Sequence, residues 1–179
     1  MSHPDETVSD TRDSIYALPL PDPGRFAFDD SVARVFPDMI KRSIPGYTTI
    51  ISMTGLMAGR YATPGSTLYD LGCSLGASTL AMRQNILHHD CNIIGVDNSL
   101  PMLERCRCII DTDAHSVPVS LVCANLEDIA IENASVVVIN FTLQFIPLNH
   151  RKSLIQRIYN GLQPGGIMVL SEKVTFEDP

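Results

Sequence analysis

The segment TLYDLGCSLGAS, residues 67–78, decides the fold of the chain. Its first five residues, Thr67–Leu71, have the composition of a short strand. Gly72 and Gly76 follow, and glycine permits a tight turn in which the backbone comes close to a ligand. We predict that a helix begins at Ser78, with free N–H groups in its first turn. The segment therefore predicts a ligand site between a strand and a helix, the alternative being an ordinary strand-to-helix turn.

Strands and helices alternate along the rest of the chain. The fourth predicted strand, SVVVIN at 135–140, is almost wholly apolar, as expected for a strand buried on both faces. This alternation predicts an α/β fold in which helices cover both faces of a mostly parallel sheet. We predict strands at 67–71, 92–97, 119–124, 135–140 and 167–171, and helices at 78–88, about 99–113 and 149–162.

The first part of the chain divides into a tail and a helical region. Residues 1–24 hold four of the twelve prolines and few large apolar side chains, so we expect a mobile tail before a domain at 25–179. We predict a short helix through Phe36 that Pro37 interrupts, and a second helix with Pro45 at its first position. The second helix should bury one face, formed by apolar residues at helical spacing: Ile50, Met53, Met57 and Tyr61.

Charge restricts the class of ligand. The chain has 13 basic and 20 acidic residues and a formal net charge of −7. A protein that binds nucleic acid by itself usually presents a basic face, whereas the basic residues here are spread along the chain. We therefore expect a small-molecule ligand and no direct binding of nucleic acid.

Other features of the sequence bear on location and chemistry. No apolar run reaches the roughly 18 residues of a membrane-spanning helix, so we expect no membrane partner. The odd number of cysteines, five, and the lack of a secretory signal predict reduced thiols and a cytoplasmic location. The spacing of the histidines and cysteines indicates neither a metal site nor a Ser-His-Asp arrangement, so no catalytic residue is assigned.

Residues around the first turn indicate the kind of ligand, because an open parallel sheet binds ligands beyond the carboxyl ends of its strands. Asp70 precedes the turn. An acid is unfavourable beside the pyrophosphate of a dinucleotide but favourable beside a cation, such as the ammonium or sulfonium of S-adenosyl-L-methionine (AdoMet). This arrangement is characteristic of the Rossmann-like AdoMet-binding fold, with Ser74 in place of the middle glycine.

The later strand ends supply further candidates. Asp97 ends the second strand, and its carboxylate can accept both ribose hydroxyls, unless it merely caps the helix that Ser99 starts. Asn98 follows and can contact adenine or ribose. Asn125 follows the third strand, where many AdoMet-binding folds hold the adenine amino group with an aspartate. Asn140 ends the fourth strand, where the reacting end of the ligand is expected, although it could simply be a turn residue.

Beyond this general pattern, long segments of the chain closely resemble the carboxy-S-adenosyl-L-methionine synthase family. The likeness runs from Phe26 to the last residue. The segments that carry it are FDDSVARVFPDMIKRSIPGY at 28–47, YDLGCSLGASTLAMRQNI at 69–86, IGVDNSLPMLERC at 94–106, VVINFTLQFI at 137–146 and LQPGGIMVLSEKVTFED at 162–178.

The resemblance implies an enzyme with the class I methyltransferase fold that is not a methyltransferase. Members of the family convert AdoMet and prephenate to carboxy-AdoMet and phenylpyruvate. A partner enzyme, a tRNA carboxymethyltransferase, then uses the product to build the 5-oxyacetyl group of wobble uridine in tRNA. The family works as a homodimer. No metal takes part in this scheme.

The resemblance also implies roles for the candidate residues. Tyr47 would contact the ligand from the N-terminal helices, Gly72, Cys73 and Ser74 would line its methionine side, and Asn140 would lie beside the sulfonium. Asp97 and Asn98 would hold ribose and adenine, and Asn125 and Leu126 would flank adenine. The candidate ligand-binding residues are therefore Tyr47, Asp70, Gly72, Cys73, Ser74, Gly76, Asp97, Asn98, Asn125, Leu126 and Asn140.

Two departures from the family leave alternatives open. Asn125 stands where the family usually has an aspartate. The sequence stops at Pro179, where the family continues with further strands and an arginine that binds the new carboxylate, so we expect a domain that lacks its last strands. The alternatives are a shortened AdoMet-binding protein without catalysis and a conventional AdoMet-dependent methyltransferase.

Overall fold

The structure, a computed structural model, describes residues 30–174 and contains five strands and five α-helices in that range. Two helices precede the first strand, and helices alternate with strands after it except between the third and fourth strands, where a short 3-10 helix at Leu126–Asp128 lies. The predicted tail at 1–24 lies outside the described residues. The strands are β1 (Thr67–Leu71), β2 (Asn92–Asp97), β3 (Val119–Cys123), β4 (Ala134–Asn140) and β5 (Leu162–Ser171). The helices are α1 (Asp30–Ser43), α2 (Tyr47–Tyr61), α3 (Ala77–Asn85), α4 (Leu100–Asp111) and α5 (Leu148–Gly161).

The strands form one parallel sheet in the order β3-β2-β1-β4-β5, as the alternation predicts. The chain therefore moves outward from β1 to β3 and then returns to the other side of β1. This reversal creates a crevice at the carboxyl ends of β1 and β4, which is where such sheets bind ligands.

Helices cover both faces of the sheet. Successive residues of the central strand β4 point to opposite faces, and their contacts show which helices cover each face. Val137 and Ile139 pack in one apolar cluster with Leu154 and Ile158 of α5. Val136 and Val138 pack in another, which includes Ala58 of α2 and Met82 of α3. The predicted burial of β4 on both faces is confirmed.

The strand predictions hold closely, and the exception is the start of β5. Its pairing with β4 begins at Leu162 opposite Ala134 and resumes at Ile167 opposite Val136, with an irregularity between them. The Pro-Gly-Gly segment at 164–166 lies within this irregular start of the strand. Gly165 has φ +83°, a conformation that glycine adopts readily.

The predicted interruption of the first helix at Pro37 is wrong, since α1 continues through this residue. A proline inside a helix removes one backbone hydrogen bond, but its fixed φ is compatible with helix. Apolar contacts on both sides of Pro37 offset that loss: Val32 and Ala33 before it and Met39 after it belong to one cluster. Pro45 also differs from its prediction, because α2 begins at Tyr47 after Gly46.

The predicted buried face of α2 is only partly right, because Ile50, Met57 and Tyr61 are half-buried. Met53 is 45% exposed, and the buried residues of the helix are the small ones, Thr54, Gly55 and Ala58. A Cβ on Gly55 would lie 2.7 Å from the carbonyl oxygen of Ala81 in α3. The two helices therefore approach so closely that the larger apolar side chains of α2 have no room between them.

Candidate functional site

A cleft of about 880 Å³ opens at the carboxyl ends of the strands. Residues at or after the ends of all five strands line it, together with residues of α1, α2, α3 and α4. Its volume lies within the range of pockets that bind small molecules. The fold thus provides a site at the place that the sheet topology predicts.

Most of the candidate residues meet in this cleft. Residues from the turn after β1, the ends of β2 and β4, the loop after β3 and the start of α2 lie along its walls. The candidates that line it are Tyr47, Gly72, Cys73, Ser74, Asp97, Asn98, Asn125, Leu126 and Asn140.

Asp70 lies behind the turn and does not line the cleft. Its side chain is buried, and its Oδ2 accepts a hydrogen bond of 2.6 Å from Thr79 Oγ1 on α3. Burial raises the pKa of Asp70 to about 6, against the lowering effect of the hydrogen bonds from Thr79. Asp70 therefore joins β1 to α3, and its charge reaches the cleft only through intervening atoms.

The turn after β1 contains three residues with positive φ: Gly72 at +81°, Ser74 at +51° and Gly76 at +81°. A Cβ on Gly72 would lie 2.2 Å from Thr142 Oγ1, so this glycine lets the loop after β4 pack against the turn. Gly76 lies away from the cleft, where a Cβ would be 2.6 Å from Cys106 Sγ of α4. Close contacts within the protein therefore account for the requirement for glycine at both positions.

Asp97 holds the turn in place from the end of β2. Its Oδ2 accepts a hydrogen bond from the Ser74 N–H and its Oδ1 accepts one from the Ser99 N–H, each 2.9 Å long. Ser99 itself is the N-cap of α4 and accepts from the Met102 N–H. The backbone N–H of Asn98 also donates to this carboxylate. A carboxylate can accept about four hydrogen bonds, so Asp97 keeps some acceptor capacity.

Two amide side chains face each other at the β2 and β3 end of the cleft. Asn98 Nδ2 donates a 3.2 Å hydrogen bond to Asn125 Oδ1, and both side chains are exposed. The Nδ2 group of Asn125 remains available as a donor. Leu126 is buried beside them and supplies apolar surface.

Asn140 lies at the opposite part of the cleft, at the end of β4. Its Nδ2 donates to Thr54 Oγ1 at 3.2 Å and to Ser78 Oγ at 3.1 Å. Its Oδ1 is buried and accepts no hydrogen bond from the described residues. The two hydroxyl groups join the end of β4 to α2 and α3 and fix the orientation of this amide.

An aromatic pair forms the wall next to Asn140. The ring centroids of Tyr47 and Phe141 are 6.3 Å apart, and Phe141 has φ +56°, an unusual value for a bulky residue. Burial, with a smaller contribution from the charge of Asp70, raises the pKa of Tyr47 to about 12. Tyr47 is therefore a neutral hydroxyl group at physiological pH.

Cys73 lines the cleft but is not a reactive thiolate. A hydrogen bond with Cys106 is the main cause of the rise in its pKa, and burial adds to this. All five cysteines are free thiols. Nucleophilic catalysis requires the thiolate form, so Cys73 contributes surface to the cleft and no nucleophile.

Several cleft residues were not among the candidates. Ser78, Thr142 and Lys173 all line it. Ser78 and Thr142 stand within or directly after motifs that the sequence highlights, so their positions next to strand ends are a usable signal. Lys173 lies in the segment 162–178 that carries the family resemblance, and its place just beyond β5 is a further signal.

Metal binding and membrane insertion have no visible basis in residues 30–174. That range contains no group of three or more His, Cys, Asp or Glu side chains that could hold a metal ion. It also contains no helix with the length and apolar character needed to cross a membrane.

Solved structures with a similar fold include a cyclopropane synthase and a methyltransferase. The cyclopropane synthase MmaA2 of Mycobacterium tuberculosis superposes with a TM-score of 0.57 at 21% identity, over 67% of this chain and 41% of that one. The CcbJ methyltransferase of Streptomyces caelestis superposes with the same TM-score at 22% identity, over 67% and 47%. At these identities the likeness establishes the Rossmann-like methyltransferase fold alone.

Sequence relatives are much more similar. The family model of a methyltransferase domain matches residues 68–166. The carboxy-S-adenosyl-L-methionine synthase of Trichlorobacter lovleyi is 59% identical over 168 residues, which are 93% of this chain and 69% of that protein. The enzyme of the same name from Photorhabdus laumondii is 56% identical over 93% of this chain and 66% of its own length. The chain belongs to the carboxy-S-adenosyl-L-methionine synthase family.

Proposed function

We propose that this chain converts AdoMet and prephenate into carboxy-AdoMet and phenylpyruvate. The observation that carries the proposal is the 59% identity with a carboxy-S-adenosyl-L-methionine synthase over 93% of the chain. The cleft supports it independently, because it gathers polar groups from several strand ends in a pocket of suitable size.

The cleft residues fit AdoMet. Asp97 would accept hydrogen bonds from the ribose hydroxyls with its remaining lone pairs. Asn98, Asn125 and Leu126 would contact adenine, with the amide of Asn125 serving in place of the aspartate that is usual in the family. The turn at Gly72, Cys73 and Ser74 would contact the methionine part.

The residues of the cleft are suited to hold two reactants together. Bound AdoMet supplies the methyl group attached to a cationic sulfur. Tyr47 and Cys73 stay neutral because their pKa values are raised, so neither acts as a base or nucleophile at neutral pH. Asn140 and the Tyr47–Phe141 pair would orient the reactants and exclude water.

Mass spectrometry of small molecules in the reaction tests this proposal most directly. The purified chain is incubated with AdoMet and prephenate, and carboxy-AdoMet and phenylpyruvate should form together. Formation of S-adenosylhomocysteine with a methylated acceptor would instead identify a methyltransferase. Binding of AdoMet without any product would identify a protein that holds the ligand without catalysis.

The wider role is also a proposal. The product would pass to a tRNA carboxymethyltransferase that completes the 5-oxyacetyl group of wobble uridine, and the enzyme would act as a cytoplasmic homodimer. The net charge of −7 supports a protein that supplies this reagent without gripping tRNA. Sedimentation equilibrium measures the assembly state, and a mass of one chain, 19.6 kDa, would contradict the homodimer.

A further inference from the structure

Both carboxylates and cations line the cleft. The described carboxylates that line it are Asp97, the last residue of β2, and Glu127, which lies after β3. The described cations that line it are Lys41 and Arg42, in the last turn of α1, and Lys173, which lies just beyond β5. Since β2 and β5 lie on opposite sides of β1 in the sheet, Asp97 and Lys173 stand on different sides of the cleft.

Backbone contacts place Lys173 close to the loop after β4. Ser171 pairs with Asn140 in the sheet, and its carbonyl oxygen accepts a 2.7 Å hydrogen bond from the Phe141 N–H. The carboxylate of Glu172 accepts a hydrogen bond from the Leu143 N–H. These contacts fix the backbone directly before Lys173 against the segment that carries Asn140 and Phe141.

Lys173 differs from the other two cations because no structural role accounts for it. Arg42 pairs with Asp38 at 3.2 Å. Lys41 lies in the last turn of α1, where a positive charge interacts favourably with the helix dipole. Lys173 is exposed and makes neither an ion pair nor a hydrogen bond with any other residue in the part of the chain that the structure describes.

We propose that Lys173 binds a carboxylate of the second substrate and thereby selects an anionic molecule as the partner of AdoMet. The inference rests on the proposed function, in which the second substrate is the dicarboxylate prephenate. An ammonium group with no protein partner, at the edge of a cleft in an acidic chain, is a suitable site for an anion. The ribose and adenine would lie on the far side, at Asp97, so the second substrate would occupy the part of the cleft next to β4 and β5.

The test compares Lys173→Gln and Lys173→Arg in the 179-residue chain. Lys152→Gln is the matched control, because Lys152 lies exposed on α5 outside the cleft and its loss changes the net charge equally. Loss of a charge-assisted hydrogen bond should raise KM for prephenate about 10- to 100-fold in Lys173→Gln. Lys173→Arg should recover most of this loss, and Lys152→Gln should match the unsubstituted chain.

AdoMet binding, measured by calorimetry, should stay within about twofold in every variant. Raised ionic strength should increase KM for prephenate in the unsubstituted chain more than in Lys173→Gln, because salt screens an exposed charge. An unchanged KM in Lys173→Gln would overturn the inference. An equal loss of AdoMet affinity would also overturn it, because Lys173 would then serve the carboxylate of AdoMet.

Direct binding separates this inference from the proposed function. Calorimetry can titrate prephenate into the chain saturated with S-adenosylhomocysteine, so that no turnover is needed. Prephenate binding that depends on Lys173, without formation of carboxy-AdoMet, would contradict the proposed function and support the inference. Formation of carboxy-AdoMet together with prephenate binding that is unchanged in Lys173→Gln would support the proposed function and contradict the inference.

Discussion

Ser74 is the residue of the cleft turn whose side chain fits its backbone least well. It has φ +51°, in the region where a side chain other than glycine costs about 1–2 kcal/mol. The Ser74 N–H donates to Asp97, and this contact keeps the backbone in that region. A glycine at this position, usual in AdoMet-binding folds, would adopt the same conformation without the cost.

We therefore predict that Ser74→Gly is more stable than Ser74→Ala by roughly 0.5–1 kcal/mol, after the greater flexibility of glycine in the unfolded chain is subtracted. Both variants lose the contact of the hydroxyl with the Met102 sulfur, so their difference isolates the backbone. Urea unfolding of the two variants provides the measurement. Equal stabilities would mean that the turn relaxes when the side chain is shortened.

Asp70 should make stability depend on pH. Burial raises its pKa from 3.8 to about 6, so the folded protein holds this proton more tightly than the unfolded chain. The resulting stabilisation is fully present below about pH 4 and is lost as the pH rises through about 6. Relative to Asp70→Asn, the free energy of unfolding of the unsubstituted chain should fall by about 2 kcal/mol between pH 4 and pH 7.

Urea unfolding of both proteins across this pH range checks the prediction. The comparison with Asp70→Asn removes the contribution of Asp97, whose pKa burial also raises. Parallel stability curves would show that Asp70 does not titrate in the window from 4 to 6.

At the scale of elements, the contact between α2 and α3 depends on glycine. We predict that Gly55→Ala destabilises the protein by about 1–2 kcal/mol, although alanine favours helix, because the new methyl group would press on the Ala81 carbonyl. Ser52→Ala, on the exposed side of the same helix, is the control and should change stability by less than about 0.5 kcal/mol. Thermal unfolding measures both. A more stable Gly55→Ala would mean that the helices can move apart without loss.

The contact between α2 and α3 also shows where prediction from the sequence reaches its limit. The strands β1 and β2 match their predicted bounds because each is a short run of strand-forming residues with turn residues beyond it. The buried face of α2 does not follow from periodicity, since Ile50, Met53 and Met57 are more apolar than Thr54, Gly55 and Ala58. Only the position of α3, a tertiary contact, decides which set is buried.

At the scale of the molecule, the candidate site residues whose positions depend on the sheet topology alone could be predicted from the sequence. Asp97 and Asn140 end strands that lie on either side of β1 and run parallel to it, so their presence in one cleft follows from the strand order. Asp70 and Gly76 belong to the same sequence motif but face inward. Sequence spacing places a residue in the turn and does not determine whether it faces the ligand or the helix behind it.

Binding of AdoMet should stabilise the whole molecule, because the cleft gathers contacts from every strand end and forms only in the folded chain. At a concentration about 100 times Kd, AdoMet should add about 2.7 kcal/mol, which corresponds to a rise in Tm on the order of 5–10 °C for a domain of this size. Asp97→Ala should lose between about one third and nine tenths of the rise at the same concentration, since its affinity should be weaker by about 1–3 kcal/mol. Ser99→Ala loses the cap of α4 but keeps the carboxylate, so its Tm should be lower without AdoMet and should rise by the full amount with it.

A full rise in Asp97→Ala would show that Asp97 only holds the Ser74 turn and the start of α4. A rise of equal size with NAD would show that the cleft does not select AdoMet.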